Sequence, residues 1–569
     1  MAVIGIDLGT TNSIACIWRN HQCELIPNAL GLYLTPSVVS FLDTGEILVG
    51  QGAKERLITH PEVTFAQFKR MMGTSEVVKV GDKAYRAEEL SAFVIRKLVE
   101  DAKTYLNEDI EEAIISVPAY FNDDQRWATK TAGSLAGIKV ERLINEPSAA
   151  ALSSHIHSEQ DQSFLIVDFG GGTLDISVVD AYDNVVEILA IAGDNQLGGH
   201  DFDQAIYQAF LQENAIDETD LNIHEKAYLI KEIERGKQQL SEASEIVLEL
   251  SIQGRIIEFL LHQEKLYEIC SYLLERMRTP MYRALHDADM ELESIDEVLL
   301  VGGSSKMPIV SQYLEYMLKR SVRVSHQADL GIAIGCGIAA GIKIRDKDVQ
   351  DMMLSDICPF TLGIEITPKE EPFAILSPII ERNTPLPCSK QNVYICYNYS
   401  DEVELRILQG EHRRANKNLL LKSIDVKLPP QEGLEGEETR DRLVAIRFTY
   451  DINGILEVEI EPFGSDEIQT VVITNQLHRF SDEEIAQKLQ QLQEYKHPKQ
   501  ELEKNHVLLE RGERLFFEMN HERRATVDQA LRQFKEVQLQ GDKKQIHEAR
   551  KQLRDTLDEI EFGGSHVLH

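Results

Sequence analysis

Two Gly-rich turns, each following an apolar strand that ends in aspartate, constrain this chain more than any other feature. Val3–Asp7 runs into Leu8-Gly9-Thr10-Thr11-Asn12, and Phe164–Asp168 runs into Phe169-Gly170-Gly171-Gly172-Thr173. Small residues at such a turn leave backbone N–H groups free to surround phosphate oxygens, and the strand-end carboxylate can hold a hydrated Mg²⁺ beside them. Neither unit matches the common phosphate-loop or dinucleotide fingerprints, so either alone could be an ordinary tight turn. The pair has a second echo: Ala113–Val117 ends at Pro118 before a helix, and Val298–Val301 ends at Gly302-Gly303 before another. Duplicated halves explain both echoes. Two matching cradles predict one nucleotide gripped between two lobes.

At 569 residues the chain exceeds one hydrophobic core, which predicts roughly three or four folding units. A net charge of -35 argues against nucleic-acid and anionic-membrane partners, since both need a cationic footprint. The seven cysteines are scattered, without a Cys-x-x-Cys pair, which argues against a zinc site or a disulfide framework and fits a reducing compartment. No apolar run approaches the roughly 20 residues that cross a bilayer. A cytoplasmic protein is expected.

Residues 1–345 alternate strands and helices, the pattern of an α/β domain. One helix is predicted from Asn122, with Gln125 completing a capping box, toward Gly133 or Gly137; another covers Lys226 to Leu240. Residues 346–357 read as a linker, but Met352, Met353 and Leu354, bracketed by Asp351 and Asp356, are too apolar for a solvated one and are expected to dock and bury. Residues 358–480 have a β texture, with a hairpin across Asn453-Gly454, and predict a sandwich. From Ser481 the period becomes helical, with Glu484 completing a capping box before Ile485, Leu489 and Leu492 on one face. Later apolar faces predict a small bundle up to 562, and residues 563–569 a tail.

This order of motifs resembles the seventy-kilodalton heat-shock chaperone family, the DnaK type, over essentially the whole chain. The resemblance is carried by Gly5–Ser13 (GIDLGTTNS), Val117–Asp123 (VPAYFND), Ile144–Ala150 (INEPSAA), Asp168–Asp175 (DFGGGTLD) and Leu197–Asp203 (LGGHDFD). The short form looks most like the HscC branch of bacterial members.

The resemblance implies an α/β actin-like two-lobed ATPase domain, a linker, a β-sandwich that binds extended peptide, and a short helical lid. By position, Asp7, Asp168 and Asp175 would serve the Mg²⁺, while Thr10, Thr11, Asn12, Gly170, Gly171, Gly172 and Thr173 would line the phosphates. Lys69, in Phe68–Gly73 (FKRMMG), and Glu146 would complete the hydrolytic centre with Asp168 and Thr173, and Glu146 and Asp175 could order water or a K⁺ ion. Adenosine would lie among Glu234, Lys237, Ser241, Gly302, Gly303, Ser304, Lys306 and Asp329. Pro118 and Arg126 would relay the nucleotide state, with Asp351, Met353, Leu354 and Asp356 in the linker; J-domain co-chaperones would act at Arg142 and Asp356. Ile364, Tyr394, Val403, Leu405 and Ile455 would wall the peptide pocket, bridged by Thr367 and Tyr397, although Leu405 and Ile455 could equally be sandwich core.

Several positions depart from the family pattern. Lys306 replaces a stacking arginine, and Gln327-Ala328-Asp329-Leu330 replaces Asn-Pro-Asp-Glu, which predicts weaker nucleotide affinity. Met352–Ser355 is softer than a leucine-rich linker, and the segment between Gly73 and Ala113 is short, which leaves the need for a nucleotide-exchange factor open. The short helical end predicts looser trapping of substrate. Sugar kinases and actin-like filament proteins share the ATPase architecture but have no use for the second half of this chain. A nearer alternative is a specialised ATP-dependent regulator of one or a few folded clients.

Overall fold

The computed structural model describes residues 2–155, 161–252, 255–325, 329–368, 371–396, 402–429, 442–452, 454–465, 468–473, 482–494, 500–519 and 521–562. Two six-stranded sheets organise the chain as far as Ser355, and they repeat one topology. The first orders Leu143–Asn145, Ile110–Val117, Ala2–Leu8, Asn12–Arg19 and Gln22–Ile26, with Thr35–Pro36 off this path; the second orders Arg323–Val324, Glu297–Val301, Gln162–Phe169, Leu174–Tyr182 and Val185–Asp194. In each, the strand that feeds a Gly-rich turn pairs antiparallel with the strand leaving that turn, and parallel with the strand of the second echo. Ile4, Ile6, Leu165 and Val167 are fully buried because helices cover both faces.

Capping sets the helix boundaries. Asn122 Oδ1 accepts from Gln125 N and Gln125 Oε1 from Asn122 N, each at 3.0 Å, so the helix is Asp123–Ala136 and ends at Gly137. The helix expected from Lys226 starts earlier, at Ile223, because Asn222 and Glu225 form a reciprocal cap of the same kind.

The sandwich has two four-stranded sheets: Ile375–Ile380, Leu362–Ile366, Glu402–Gln409 and Leu419–Lys427 face Cys388–Cys396, Arg442–Tyr450, Leu456–Pro462 and Gln469–Val472. Leu362, Ile407, Phe448 and Val458 are among its core. Gly454 has φ +77°, as a tight hairpin turn needs; Asn453 lies outside the described residues.

Inside the expected linker, Met353–Ser355 forms the sixth strand of the second sheet, parallel to Val185–Asp194, with Val185 opposite Met353. Strand alternation then splits the apolar trio. Met352 is 8% exposed in a core with Val186 and Ile188, and Leu354 packs against that core, but Met353 points outward at 66% exposure. The expectation that Met353 buries is therefore corrected.

Helices Gln500–Glu518, His521–Gln540 and Lys543–Phe562 form a bundle around Leu508, Leu515, Phe534, Leu553 and Leu557. Helix Asp482–Glu494 does not join it. Ile485 and Leu492 pack into the core of the first sheet's helices, Lys488 Nζ lies 2.7 Å from Glu89, and Arg96 donates to Leu492 O at 2.6 Å. Ser481 and the tail 563–569 lie outside the described residues.

Candidate functional site

The two Gly-rich turns face each other. A methyl group added to Gly171 would collide with Thr11 Oγ1, and one added to Gly172 would lie 3.0 Å from Thr10 Cγ2. Each turn is held from behind: Gly170 N donates to Thr173 O at 3.1 Å, Gly199 N to Gly170 O at 3.1 Å, His200 N to Gly171 O at 2.9 Å, and Ser37 N to Thr11 O at 2.8 Å. Asn12 sits where strand Asn12–Arg19 meets Pro36. Glycines on one turn thus leave room for the threonine side chains of the other, and the backbone N–H groups of such turns can bind anionic oxygens.

Beneath the turns lies a group of buried acids. Burial and the Glu146 carboxylate push Asp7 up to about 7, against the opposing pull of Lys69 and Ser116. Asp175 rises to about 7 by burial and Glu146, opposed by the Tyr120 N–H and Lys69. Burial and the carboxylates of Glu146, Asp175 and Asp7 raise Asp168 well above its ordinary value. Lys69 Nζ pairs with Glu146 at 2.7 Å, both side chains buried. One lysine cannot neutralise four carboxylates, and the Oδ2 atoms of Asp168 and Asp175 are buried without a hydrogen-bond partner. Such a donor set fits a divalent cation. Among the described residues no three acids, histidines or cysteines converge closely enough to hold a bare ion, so the fit is to a cation bound through its waters.

The expected adenosine residues converge on the second lobe. Ser304 Oγ donates to Gly170 O at 2.7 Å, and Lys237 Nζ donates to Gly199 O and pairs with Asp203, each at 2.7 Å. A methyl group on Gly303 would lie 3.1 Å from Asp329 Oδ1, and Lys306 pairs with Asp329. Gly302, at φ +84°, brings the backbone so close to Asp168 that a Cβ would lie 2.6 Å from its Oδ1. Glu234 faces the same helix flank as Gln238, whose Nε2 donates to it at 3.1 Å, and Ser241 follows that helix, its N donating to Gln238 O at 3.0 Å.

A chain of hydrogen bonds runs from helix Asp123–Ala136 of the first lobe to the linker. Arg126 Nη2 donates to Asn145 Oδ1 at 2.6 Å, and Asn145 Nδ2 to Asp356 Oδ2 at 2.7 Å; Ser148 Oγ donates to the same oxygen at 3.2 Å. Arg142 lies within electrostatic reach of Asp356. Pro118 is buried, its carbonyl accepting from Phe121 N at 3.1 Å, whereas Asp351 is exposed in the turn before the linker strand.

The contact between the sandwich and the lobes has no signature in the sequence. Asp123 Oδ1 accepts from Tyr450 Oη at 3.0 Å and Gln409 Nε2 at 3.4 Å, all three buried. Arg382 grips Asp287 through two bonds of 2.8 and 2.6 Å, and Phe360 packs on Tyr120 with ring centres 4.6 Å apart. In the sequence Asp123 closes the VPAYFND motif and opens the helix capped by Asn122, and neither place announces a partner in the sandwich.

Ile364 and Leu405 are buried in the sandwich core, with Tyr394 and Val403 packed against it and Thr367 exposed at the end of its strand. Tyr397 lies outside the described residues. Ile455 stands apart: it adjoins the hairpin after Tyr450, whereas Tyr394 pairs with Val444, about 20 Å along the strand. It lies at the Asp123 end of the sandwich and is no wall of that pocket.

Comparison with known proteins agrees with this geometry. The profile of the Hsp70 protein family matches residues 3–78 and 74–563. Chaperone protein DnaK of Thermotoga neapolitana is 35% identical, covering 98% of this chain and 93% of its own. That of Thermotoga petrophila is 36% identical over 90% and 87%, and that of Thermosipho melanesiensis 34% identical over 100% and 94%. With its motifs in order and its length spanned by these relatives, the chain belongs to the Hsp70 protein family as a DnaK-type member.

Proposed function

We propose that this DnaK-type, ATP-dependent chaperone hydrolyses ATP between its two cradles and uses the nucleotide state to choose between two arrangements of the second half of the chain. In the docked arrangement described above, the linker strand extends the second sheet and the lid helices pack mainly on the first lobe. A lid held on the first lobe suits release of substrate, which supports reading the docked arrangement as the ATP state. In the other arrangement the strand is freed and the lid covers the sandwich, trapping an extended apolar segment by backbone hydrogen bonds and a pocket at Ile364, Tyr394, Val403 and Leu405.

One observation supports this coupling most. The linker strand pairs with Val185–Asp194, which pairs with Leu174–Tyr182, the strand leaving the Gly170–Thr173 turn. A shift of the phosphate turn therefore has two strands to cross before it reaches the linker.

At the cradles, Lys69 brings an ammonium to the γ-phosphate side and Glu146 orders the attacking water, so positioning and electrostatics carry the reaction. Mg²⁺, held through its waters by Asp7, Asp168 and Asp175, would supply charge neutralisation at the phosphates. A K⁺ ion beside Glu146 and Asp175 belongs to the same reading. A J-domain partner at Arg142 and Asp356 would act on the relay that holds the linker.

An apolar-peptide array probed with the full chain, with and without ATP, tests the proposal. Broad capture that ATP releases is expected. Capture insensitive to ATP would overturn the coupling, and binding to one or two peptides alone would favour a dedicated regulator.

A further inference from the structure

Helix Gln500–Glu518 lies along helix Gln51–Thr59 of the first lobe. Arg56 Nη1 is 3.1 Å from Glu510, Arg514 pairs with Glu55, and a methyl group on Gly52 would touch Val507 at 3.5 Å. The helix does not stop at that lobe. Glu518 Oε1 accepts from Lys231 Nζ at 2.7 Å, and the Phe517 ring centre lies 5.7 Å from that of His224. Lys231 and His224 belong to helix Ile223–Gln239 of the second lobe, which also carries Glu234 and Lys237 beside the nucleotide cleft. The lobes meet directly at the same place, where His224 Nδ1 is 2.8 Å from Ile58 O.

One rigid helix end is thus bonded to both jaws of the cleft. Arg514, 4% exposed at its side chain, ties Glu518 of the tip to Glu55 of the first lobe and Glu561 of the lid, and Glu518 in turn holds Lys231, so the lid tip cannot follow one lobe without straining its hold on the other. The tip's ion pair is shielded, with Glu518 8% and Lys231 27% exposed, and is screened less than a surface pair. A lid bound to the first lobe alone would be indifferent to cleft opening. Contact with the second lobe links the two equilibria, and the linkage is reciprocal. We propose that the tip of helix Gln500–Glu518 is a clasp across the two lobes that holds the nucleotide cleft shut while the lid is docked, making the chain a brake on its own ATP release. The inference rests on the ATP reading of the cleft.

The test is the rate at which methylanthraniloyl-labelled ATP leaves the full chain when chased with unlabelled ATP and Mg²⁺. Lys231→Ala on the lobe side and Glu518→Gln on the lid side should each speed release about threefold to tenfold, the scale of one partly shielded ion pair. The double variant should release no faster than the faster single one, since both remove the same bond. Phe517→Ala, which leaves the ion pair in place, should also speed release. Wild-type rates in both Lys231→Ala and Glu518→Gln, or effects that add fully in the double variant, would overturn the clasp. Failure of the wild-type chain to bind the labelled nucleotide would instead sink the ATP reading itself.

Discussion

Replacing Met352 with aspartate should undock the linker, while the same change at the adjacent Met353 should not. Met352 is 8% exposed and Met353 66%. Removing a buried side chain of this size loses about 1.5 to 3 kcal/mol, and an aspartate in its place must also bury a charge or leave the core. A loss of about 3 kcal/mol shifts the docked-to-released equilibrium roughly a hundredfold. At Met353 the side chain is outside and only its backbone pairs with Val185, so the expected effect is within about 0.5 kcal/mol. Single-turnover ATPase with and without saturating apolar peptide reads the coupling, and protease cleavage of the linker in the presence of ATP reads docking. Met352→Asp should retain a basal rate, lose stimulation and be cut quickly; Met353→Asp should resemble the wild type. Equal damage from the two substitutions, or none from either, would refute the argument from strand alternation.

Lys69→Met should abolish single-turnover hydrolysis while labelled ATP still binds, because both phosphate turns remain; hydrolysis near the wild-type rate would remove Lys69 from the reaction. Asp123→Ala leaves Tyr450 and Gln409 without their shared acceptor and should weaken docking of the sandwich by about 1 to 3 kcal/mol, seen as faster linker cleavage with ATP. Asp7 and Asp175 are raised to about 7, so below neutrality they hold protons that a cation must displace. Binding of Mg²⁺ and ATP should therefore tighten as pH rises from about 6 to 8 and release protons, measurable by calorimetry in buffers of different ionisation enthalpy. The same raised values favour the ligand-free fold at low pH, and that contribution is lost as pH rises from about 4 through about 7.

The duplication was legible because each copy advertises itself locally, with an aspartate closing an apolar strand and glycines opening a turn. Capped helices were legible for the same reason, since Asn122 and Gln125 need only each other. What escaped depends on distant partners. The apolar face of Ile485, Leu489 and Leu492 was readable, but the surface that receives it belongs to helices some four hundred residues earlier. The linker trio read as sticky, yet which members turn inward is set by pairing with Val185 and Val186. Ile455, given to the pocket by its position in the family resemblance, lies at the other end of the sandwich, and only strand register tells the two ends apart. Asp123 serves its own helix and another domain at once, and the first role hides the second.

In the proposed cycle, ATP held between facing turns decides where the lid sits. Spin labels at Leu32 on the first lobe and Leu539 on the lid bundle, 53% and 85% exposed, give the most direct test through their distance distribution by pulsed electron paramagnetic resonance. With ATP and Mg²⁺ the distribution should narrow to the docked separation, and with ADP and a bound apolar peptide it should move to a second, separate population. The same distribution under both conditions would contradict the account.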